Sequence, residues 1–308
     1  MTELHTAGHR RGVVCAPHAA AAETGRAVMA EGGNALEAMV AMAASIAAVY
    51  PHMNHIGGDG FWLVHLPKGR TLAFMAAGPA GSRARPELYR DREAIPTRGP
   101  LAALTVPGAI GGWMLALEAS KGLGGVLPLD VLLGAAIHQA RDGYSVTRSQ
   151  ARLSAEKLAE LKDVPGFAEV FLPEGKPPQA GATLKQSALA STLDHLAHAG
   201  LDDFYRGDVG REIAADLERV GSPVTRDDLV RYRAVVAEPL SVKLNAGTIF
   251  NTPPPTQGLA SLIILALYER LRVAEAESFD FAHGLIEATK RAFRVRDRIV
   301  TDPARLPA

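Results

Sequence analysis

The chain is poor in cysteine, in aromatic residues and in excess charge. Cys15 is the one cysteine in 308 residues, so an internal disulfide and a cysteine-based zinc site are both excluded. The 33 basic residues balance the 33 acidic ones, and a net charge of +0 provides no electrostatic footprint for nucleic acid. Hydrophobic residues nevertheless make up 47% of the sequence, which predicts a globular protein with a sizeable core.

The sequence also lacks a long uninterrupted apolar run. The longest weakly polar stretch, residues 35–50, contains Glu37 and ends before Pro51, so it is too short to span a membrane. The first residues, MTELHTAGHRRGVVCAPHAAAAETGR, have no apolar segment after their charges. We therefore expect no secretory signal, no membrane association and a cytoplasmic location.

Apolar residues recur with helical spacing through most of the second half of the chain. Residues 35–50 form a further predicted helix, which is apolar nearly all round and should lie inside the protein; Asn34 and Glu37 have the spacing of a capping box at its start. Strands predicted near both ends of the chain, with helices between them, indicate a layered α+β fold in a single domain of residues 1–308. The other predicted helices cover residues 129–141, 155–161, 184–198, 209–219, 259–272 and 281–298, and the predicted hairpins pair 61–66 with 71–75 and 242–244 with 248–250.

A glycine-rich turn is the strongest local candidate for a site. It lies between the predicted helix at residues 35–50 and the predicted strand at residues 61–66. His52 and His55 flank it and Asp59 lies within it, so the cluster could orient a substrate between two rigid elements. The alternative is a polar turn whose glycines only permit a tight, left-handed backbone.

Other chemical motifs are weak or absent. His195 and His198 lie one helical turn apart without a third ligand at matching spacing, which favours a solvated helix face over a metal site. Cys15 has small apolar neighbours and is expected to be a buried structural thiol. No Gly-x-Ser-x-Gly elbow occurs, so the residues alone predict an α+β protein without a catalytic group.

Seven segments along the chain are distinctive when they are taken together and in this order. They are GGNALEAMVA within residues 19–50, PHMNHIGGDGFWLV at 51–64, LTVPGAIGGW at 104–113, ARDGYSVTRS at 140–149, DDFYRGDVGREIA at 202–214, TRDDLVRYRAVVAEPL at 225–240 and TPPPTQG at 252–258. Through these segments the chain resembles, over residues 11–303, the large subunit of gamma-glutamyltranspeptidases, a family of N-terminal-nucleophile hydrolases.

The resemblance implies a four-layer αββα sandwich, of which this chain is the larger, helix-rich part. It further implies that the chain is the large α subunit of an autoprocessed αβ heterodimer. The nucleophile is then the N-terminal Thr of a small β subunit from the same precursor. The α-amino group of that Thr can act as the base, because its pKa near 8 leaves it partly neutral. No catalytic residue, metal or cofactor is expected within this chain, and assembly of αβ pairs into higher oligomers is left open.

One departure from the family pattern concerns the substrate. In transpeptidases an Arg-Glu pair follows the glycine-rich hairpin, and the Arg binds the α-carboxylate of the glutamyl group. Aligned on Pro79, the corresponding residues here are Met75 and Ala76, and Arg83 and Arg85 are the nearby residues that could substitute. The resemblance is accordingly closer to the amidohydrolase-like branch, which includes oxamate amidohydrolase and cephalosporin acylases.

The sequence therefore predicts hydrolysis of a small-molecule amide. Two alternatives stay open: a true gamma-glutamyltransferase or glutathione hydrolase, and a catalytically silent paralogue with a structural role. The turn at residues 54–60 is expected to form a wall of the active site, where Gly57, Gly58 and Gly60 let the main chain approach the substrate or the nucleophile. The residues predicted to bind substrate are Asn54, His55, Gly58, Asp59, Met75, Ala76, Arg83 and Arg85.

Overall fold

A computed structural model describes residues 12–67 and 69–306 and divides them into two compact units. The first, here called the helical unit, contains residues 12–59 and 77–233. The second, the strand unit, contains residues 60–67, 69–76 and 234–306. That residues 1–308 form a single domain stays a prediction.

Eleven α-helices and a two-stranded ribbon make up the described part of the helical unit. The ribbon pairs β3 (Tyr144–Ser145) with β4 (Thr183–Leu184) in antiparallel fashion. The helices are α1 (Ala19–Ala30), α2 (Ala35–Val49), α3 (Ala109–Lys121), α4 (Leu129–Asp142), α5 (Arg148–Glu156), α6 (Leu158–Leu161), α7 (Phe167–Phe171), α8 (Ser187–Ala199), α9 (Asp203–Arg206), α10 (Asp208–Arg219) and α11 (Arg226–Arg231).

The strand unit contains two antiparallel sheets and two helices, α12 (Gly258–Leu271) and α13 (Phe279–Ile299). Its three-stranded sheet has the order β1 (Gly60–His65), β2 (Thr71–Ala76) and β5 (Val235–Ala237). The second sheet pairs β6 (Leu240–Leu244) with β7 (Gly247–Asn251). Both predicted hairpins are therefore confirmed.

Helix α2 lies in the core of the helical unit, as predicted. Eleven of its 15 residues are buried, and it packs against α1, α3 and α4. The predicted capping box is confirmed: the Asn34 side chain accepts from the Glu37 N–H, and the Glu37 carboxylate accepts from the Asn34 N–H at 2.8 Å. The second oxygen of the buried Glu37 carboxylate accepts from the Leu127 N–H, so that burial leaves neither oxygen without a donor.

Five of the six remaining predicted helices are found within a few residues of their expected bounds. The helix predicted at residues 155–161 is different. The chain is helical from Arg148 to Glu156, and a non-helical backbone at Lys157 separates α5 from α6. The start was missed because a polar cap rather than apolar spacing defines it: the Thr147 hydroxyl accepts from the Gln150 N–H. Sequence analysis also missed α1, α3, α7, α9 and α11. Helix α3 contains two internal glycines, which lower helix propensity.

Cys15 is exposed, so the prediction of a buried thiol is wrong. Exposure alternates along the segment before α1: Val13 and Cys15 face solvent, whereas Val14 and Ala16 are half-buried.

His195 and His198 lie on the exposed surface of α8, where the His195 Nε2 is 3.2 Å from an Asp203 carboxylate oxygen. Residues 1–11, on which part of the targeting prediction rests, lie outside the described residues.

None of the described helices combines the length and the apolar character that crossing a bilayer requires. The described residues contain no group of three or more His, Cys, Asp or Glu side chains placed to hold a metal ion. The cytoplasmic location stays a prediction.

Asp228 joins α11 to the loop that follows β2 within the helical unit. Its Oδ2 accepts from the N–H and hydroxyl of Ser82, at 2.8 and 3.0 Å, and from the N–H and hydroxyl of Thr225, at 2.9 and 2.8 Å. Burial alone would raise the pKa of Asp228, but these four hydrogen bonds outweigh it and lower the pKa to about 2. The ionised carboxylate therefore stabilises the fold.

Replacing Asp228 with Asn should lower the free energy of unfolding at pH 7 by about 2 kcal/mol, because a pKa lowered from 3.8 to about 2 stabilises the folded state by that amount. This stabilisation is present above the unfolded pKa and is lost as the pH falls toward about 2. Urea denaturation between pH 7 and pH 2 measures both effects. The exposed neighbour Asp227 supplies the control, and Asp227→Asn should change stability by less than about 0.5 kcal/mol. Equal effects of the two substitutions at pH 7 would contradict the assignment.

Candidate active site

The glycine-rich turn connects α2 to β1 and is exposed at most of its positions. Ile56 is the exception, with 6% of its surface exposed, and its buried side chain holds the turn against the helical unit. Near the start of the turn, the N–H groups of Met53 and Asn54 both donate to the Tyr50 carbonyl at 3.1 Å. The turn is therefore held at its beginning and in its middle.

The Gly58 carbonyl fixes the rest of the turn to the N-terminus of α3. It accepts hydrogen bonds from the N–H groups of Gly108 and Ala109, both at 2.8 Å. These donors lie at the beginning of a helix, where N–H groups have no partner within the helix. The hydroxyl of the buried Tyr205 serves the same helix end, since it accepts from the Gly111 N–H and donates to the Pro107 carbonyl, each at 2.9 Å.

Left-handed backbone does not account for the glycines of this turn. Gly57, Gly58 and Gly60 all have φ outside the left-handed region, so that alternative reading is wrong. A Cβ added to Gly57 or Gly58 would meet its nearest heavy atom, in each case an atom of His55, at 3.7 or 3.6 Å, which is ordinary van der Waals contact. The described chain therefore leaves open space above both glycines.

Two other glycines of the helical unit contrast with this pair. A Cβ at Gly78 would lie 1.6 Å from the Val106 carbonyl oxygen, and one at Gly81 would lie 2.5 Å from the Pro223 carbonyl oxygen. Close backbone packing within the chain thus requires glycine at these two positions, whereas nothing comparable requires it at Gly57 or Gly58.

Asp59 carries the negative charge of the turn. Its Oδ1 accepts from the Gly78 N–H at 3.3 Å, and the side chain is exposed. Partial desolvation raises the pKa of Asp59, and the hydrogen bond from Gly78 opposes that rise. Asp59 also affects Tyr232. Burial and the nearby negative charge of Asp59 both raise the pKa of the Tyr232 phenol. Tyr232 therefore stays neutral at physiological pH.

His55 contributes a neutral imidazole at the edge of a cavity. The cavity has a volume of about 750 Å³ and is lined by His55, Ile56 and Gly57 together with residues of α7, α8 and α10. The His55 ring is exposed, but it lines a concave surface, and desolvation there lowers its pKa. Its Nδ1 accepts from the Gly57 N–H at 3.4 Å, which leaves Nε2 as the protonated nitrogen and a donor.

The arginines proposed as carboxylate ligands lie on the surface of the helical unit. The Arg83 N–H donates to the Pro223 carbonyl at 3.2 Å, and the Arg83 guanidinium is 3.7 Å from the Glu218 carboxylate. Arg85 is exposed, and within residues 12–67 and 69–306 its guanidinium makes no ion pair. Arg85 is therefore the more available of the two cations.

Met75 and Ala76 are buried in β2 of the strand unit, with 7% and 0% of their surfaces exposed. Met75 pairs with Phe61 on β1 and with Val235 on β5, so the three side chains share one face of the sheet. The position at which transpeptidases are expected to carry an arginine is thus occupied here by an uncharged, packed side chain.

The structure therefore brings four predicted site residues, Asn54, His55, Gly58 and Asp59, together in one turn. That any of the predicted residues binds substrate stays a prediction. Sequence reasoning missed Tyr205, which orients the helix end on which the turn rests. The available signal was the DDFYRGD segment, whose aromatic pair is followed by charged residues.

Comparisons with known proteins agree over nearly the whole chain. The family model for gamma-glutamyltranspeptidase matches residues 21–308. The oxamate amidohydrolase proenzyme of Klebsiella pneumoniae is 49% identical over 96% of this chain and 56% of its own length. The glutathione hydrolase proenzyme of Escherichia coli is 30% identical over 97% of this chain and 52% of its own length. The chain thus spans little more than half the length of these relatives.

Solved structures support the same relationship. Gamma-glutamyltranspeptidase of Helicobacter pylori superimposes with a TM-score of 0.91 at 26% identity, over 99% of this chain and 88% of that chain. Cephalosporin acylase of Bacillus halodurans gives a TM-score of 0.87 at 29% identity, over 100% of this chain and 60% of that chain. These neighbours confirm the predicted α+β fold of the N-terminal-nucleophile hydrolases. The chain belongs to the gamma-glutamyltranspeptidase family.

Proposed function

We propose that this chain is the large α subunit of an autoprocessed amidohydrolase that hydrolyses a small-molecule amide. The nucleophile is the N-terminal Thr of a small β subunit cut from the same precursor. Two relatives that carry the word proenzyme in their names support processing, and the Klebsiella relative is named for oxamate, a small primary amide. The observation that carries the choice of substrate is the burial of Met75.

Met75 favours an amide without a glutamyl carboxylate. Binding that carboxylate in an enclosed site requires a charge-assisted partner, and a guanidinium suits the task because it binds both oxygens. The thioether of Met75 offers no such donor, and it packs in the sheet between Phe61 and Val235. The α-carboxylate of a glutamyl group brought to this strand would lose its hydration without gaining an ion pair from Met75.

The same face of the sheet supports the need for a second subunit. Phe61 and Val235, which flank Met75, are 46% and 55% exposed, and Leu63 on the same side of β1 is 44% exposed. Large apolar side chains grouped on one exposed sheet face are typical of a surface that another layer covers. This is the surface on which we expect the small subunit to pack.

The open space above Gly57 and Gly58 supports an active-site wall at the turn. Nothing in the described chain occupies the space above these two glycines, so a group from outside the chain can approach their main chain freely. A main chain without side chains lets a substrate or the small subunit come within van der Waals distance of the peptide groups. The turn is rigid enough for this role because the Gly58 carbonyl is fixed by two hydrogen bonds.

The processed two-chain protein should hydrolyse oxamate with a kcat/KM at least about 100-fold higher than that for a gamma-glutamyl anilide. The loss of a hydrogen-bonded ion pair to the glutamyl carboxylate accounts for a factor of this size. Steady-state kinetics on the two substrates test the proposal directly.

Comparable kcat/KM values would support the gamma-glutamyltransferase alternative. In that case Arg83→Ala and Arg85→Ala would show which cation holds the carboxylate, through a selective rise in KM. Processing without turnover of either substrate or of other small amides would favour the silent paralogue.

Gly57→Ala and Gly58→Ala should each reduce kcat/KM at least about 10-fold, because the added methyl group occupies the space that the substrate or partner needs. Neither change should lower the free energy of unfolding, and each can raise it by up to about 1 kcal/mol by restricting the unfolded chain. Gly78→Ala is the structural control, since its Cβ would collide with the Val106 carbonyl and should destabilise the fold. Wild-type kinetics in both turn variants would show that the turn is only scaffolding.

A further inference from the structure

We propose that Asp59 determines substrate specificity by accepting hydrogen bonds from the –NH2 group of a primary amide through its free carboxylate oxygen. The inference rests on the proposed function, because it names the end of the amide substrate that faces the turn. It adds a requirement that amide hydrolysis by itself does not impose, namely that the leaving nitrogen carries two N–H donors.

The first support is the fixed position of the residue. The peptide group that joins Gly58 to Asp59 is held through its carbonyl by the N–H groups of Gly108 and Ala109, both at 2.8 Å. The side chain is held as well, because Oδ1 accepts from the Gly78 N–H. A group that discriminates between ligands needs such restraint, since a mobile carboxylate would adapt to either ligand.

The second support is the unused capacity of the carboxylate. An ionised carboxylate offers about four acceptor sites, and only one hydrogen bond to Asp59 is formed within the part of the chain that the structure describes. The two nearest phenols do not fill this capacity: the Tyr205 hydroxyl donates to the Pro107 carbonyl, and the Tyr232 hydroxyl points to the Gly108 carbonyl at 3.5 Å. Among the described residues no Lys or Arg forms an ion pair with Asp59 either.

The third support is the environment. Desolvation raises the pKa of Asp59, which means that its negative charge is less well stabilised here than in open water. An NH2 group placed at the free oxygen offsets that cost, because it brings two N–H donors to the carboxylate without adding charge at that position. His55 does not compensate the charge, because desolvation keeps its imidazole neutral.

The competing explanation is that Asp59 only fastens the Gly78 N–H to the turn. Asn and Asp differ in a way that separates the two roles. In Asp59→Asn the side-chain carbonyl can still accept from Gly78, but the free oxygen becomes an NH2 donor and the negative charge disappears. If Asp59 is purely structural, Asp59→Asn should preserve its function. If Asp59 selects for N–H donors, the substitution should abolish that selection.

The experiment uses the processed two-chain protein and three amides of increasing N-substitution: oxamate, N-methyloxamate and N,N-dimethyloxamate. All three release oxalate, so that one assay gives kcat/KM for each.

The wild type should prefer oxamate over the dimethyl amide at least about 10-fold, as expected for a hydrogen bond to a charged group. In Asp59→Asn, kcat/KM for oxamate should fall at least about 10-fold, and the preference should shrink to less than about 3-fold. Processing and melting temperature should not change. Asp163→Asn, which removes an exposed carboxylate elsewhere in the helical unit, should match the wild type.

Three outcomes would overturn the inference. An unchanged preference in Asp59→Asn, with oxamate still hydrolysed, would leave the proposed function intact and show that Asp59 is structural. An equal loss for all three amides would indicate a general disturbance of the site rather than selection. Failure of the wild type to hydrolyse any of the three, or any other small primary amide, would remove the proposed function and the role of Asp59 together.

Discussion

Two hydrogen bonds to one carbonyl oxygen, that of Gly58, hold the candidate active-site turn in place. Their donors, the N–H groups of Gly108 and Ala109, begin α3 and would otherwise lack partners. The hydroxyl of Tyr205 binds the next part of the same helix end, and its ring packs between those of Phe204 and Tyr232. A buried aromatic cluster far along the chain thus determines where the peptide between Gly58 and Asp59 lies.

The turn presents very little charge beyond one carboxylate. His55 is neutral through desolvation, and Gly57 and Gly58 expose main chain only. Main-chain peptides and a single acceptor suit a small polar ligand better than they suit a doubly charged amino-acid group. In the proposed function, covalent catalysis is left to the small subunit, and this chain limits which amide can enter.

The sequence predicts the parts of this fold that depend on local pattern. The apolar helix α2 with its Asn34–Glu37 capping box and both hairpins follow from spacing and propensity. Contacts between distant segments could not be read in the same way. The link from Gly58 to α3 spans 50 residues of sequence, and the Tyr205 hydroxyl reaches back by more than 90. Cys15 is an example at a single residue. Its apolar neighbours did not indicate which side of the segment faces solvent, and the residue is exposed.

In the proposed active site, the main chain at Gly57 and Gly58 touches a group from outside this chain. A crystal structure of the processed two-chain protein with a bound, unreactive amide measures this contact directly. We expect heavy atoms of the ligand or of the small subunit within about 4 Å of the Cα atom of Gly57 or Gly58. A structure with the amide bound elsewhere and only solvent above both glycines would contradict it.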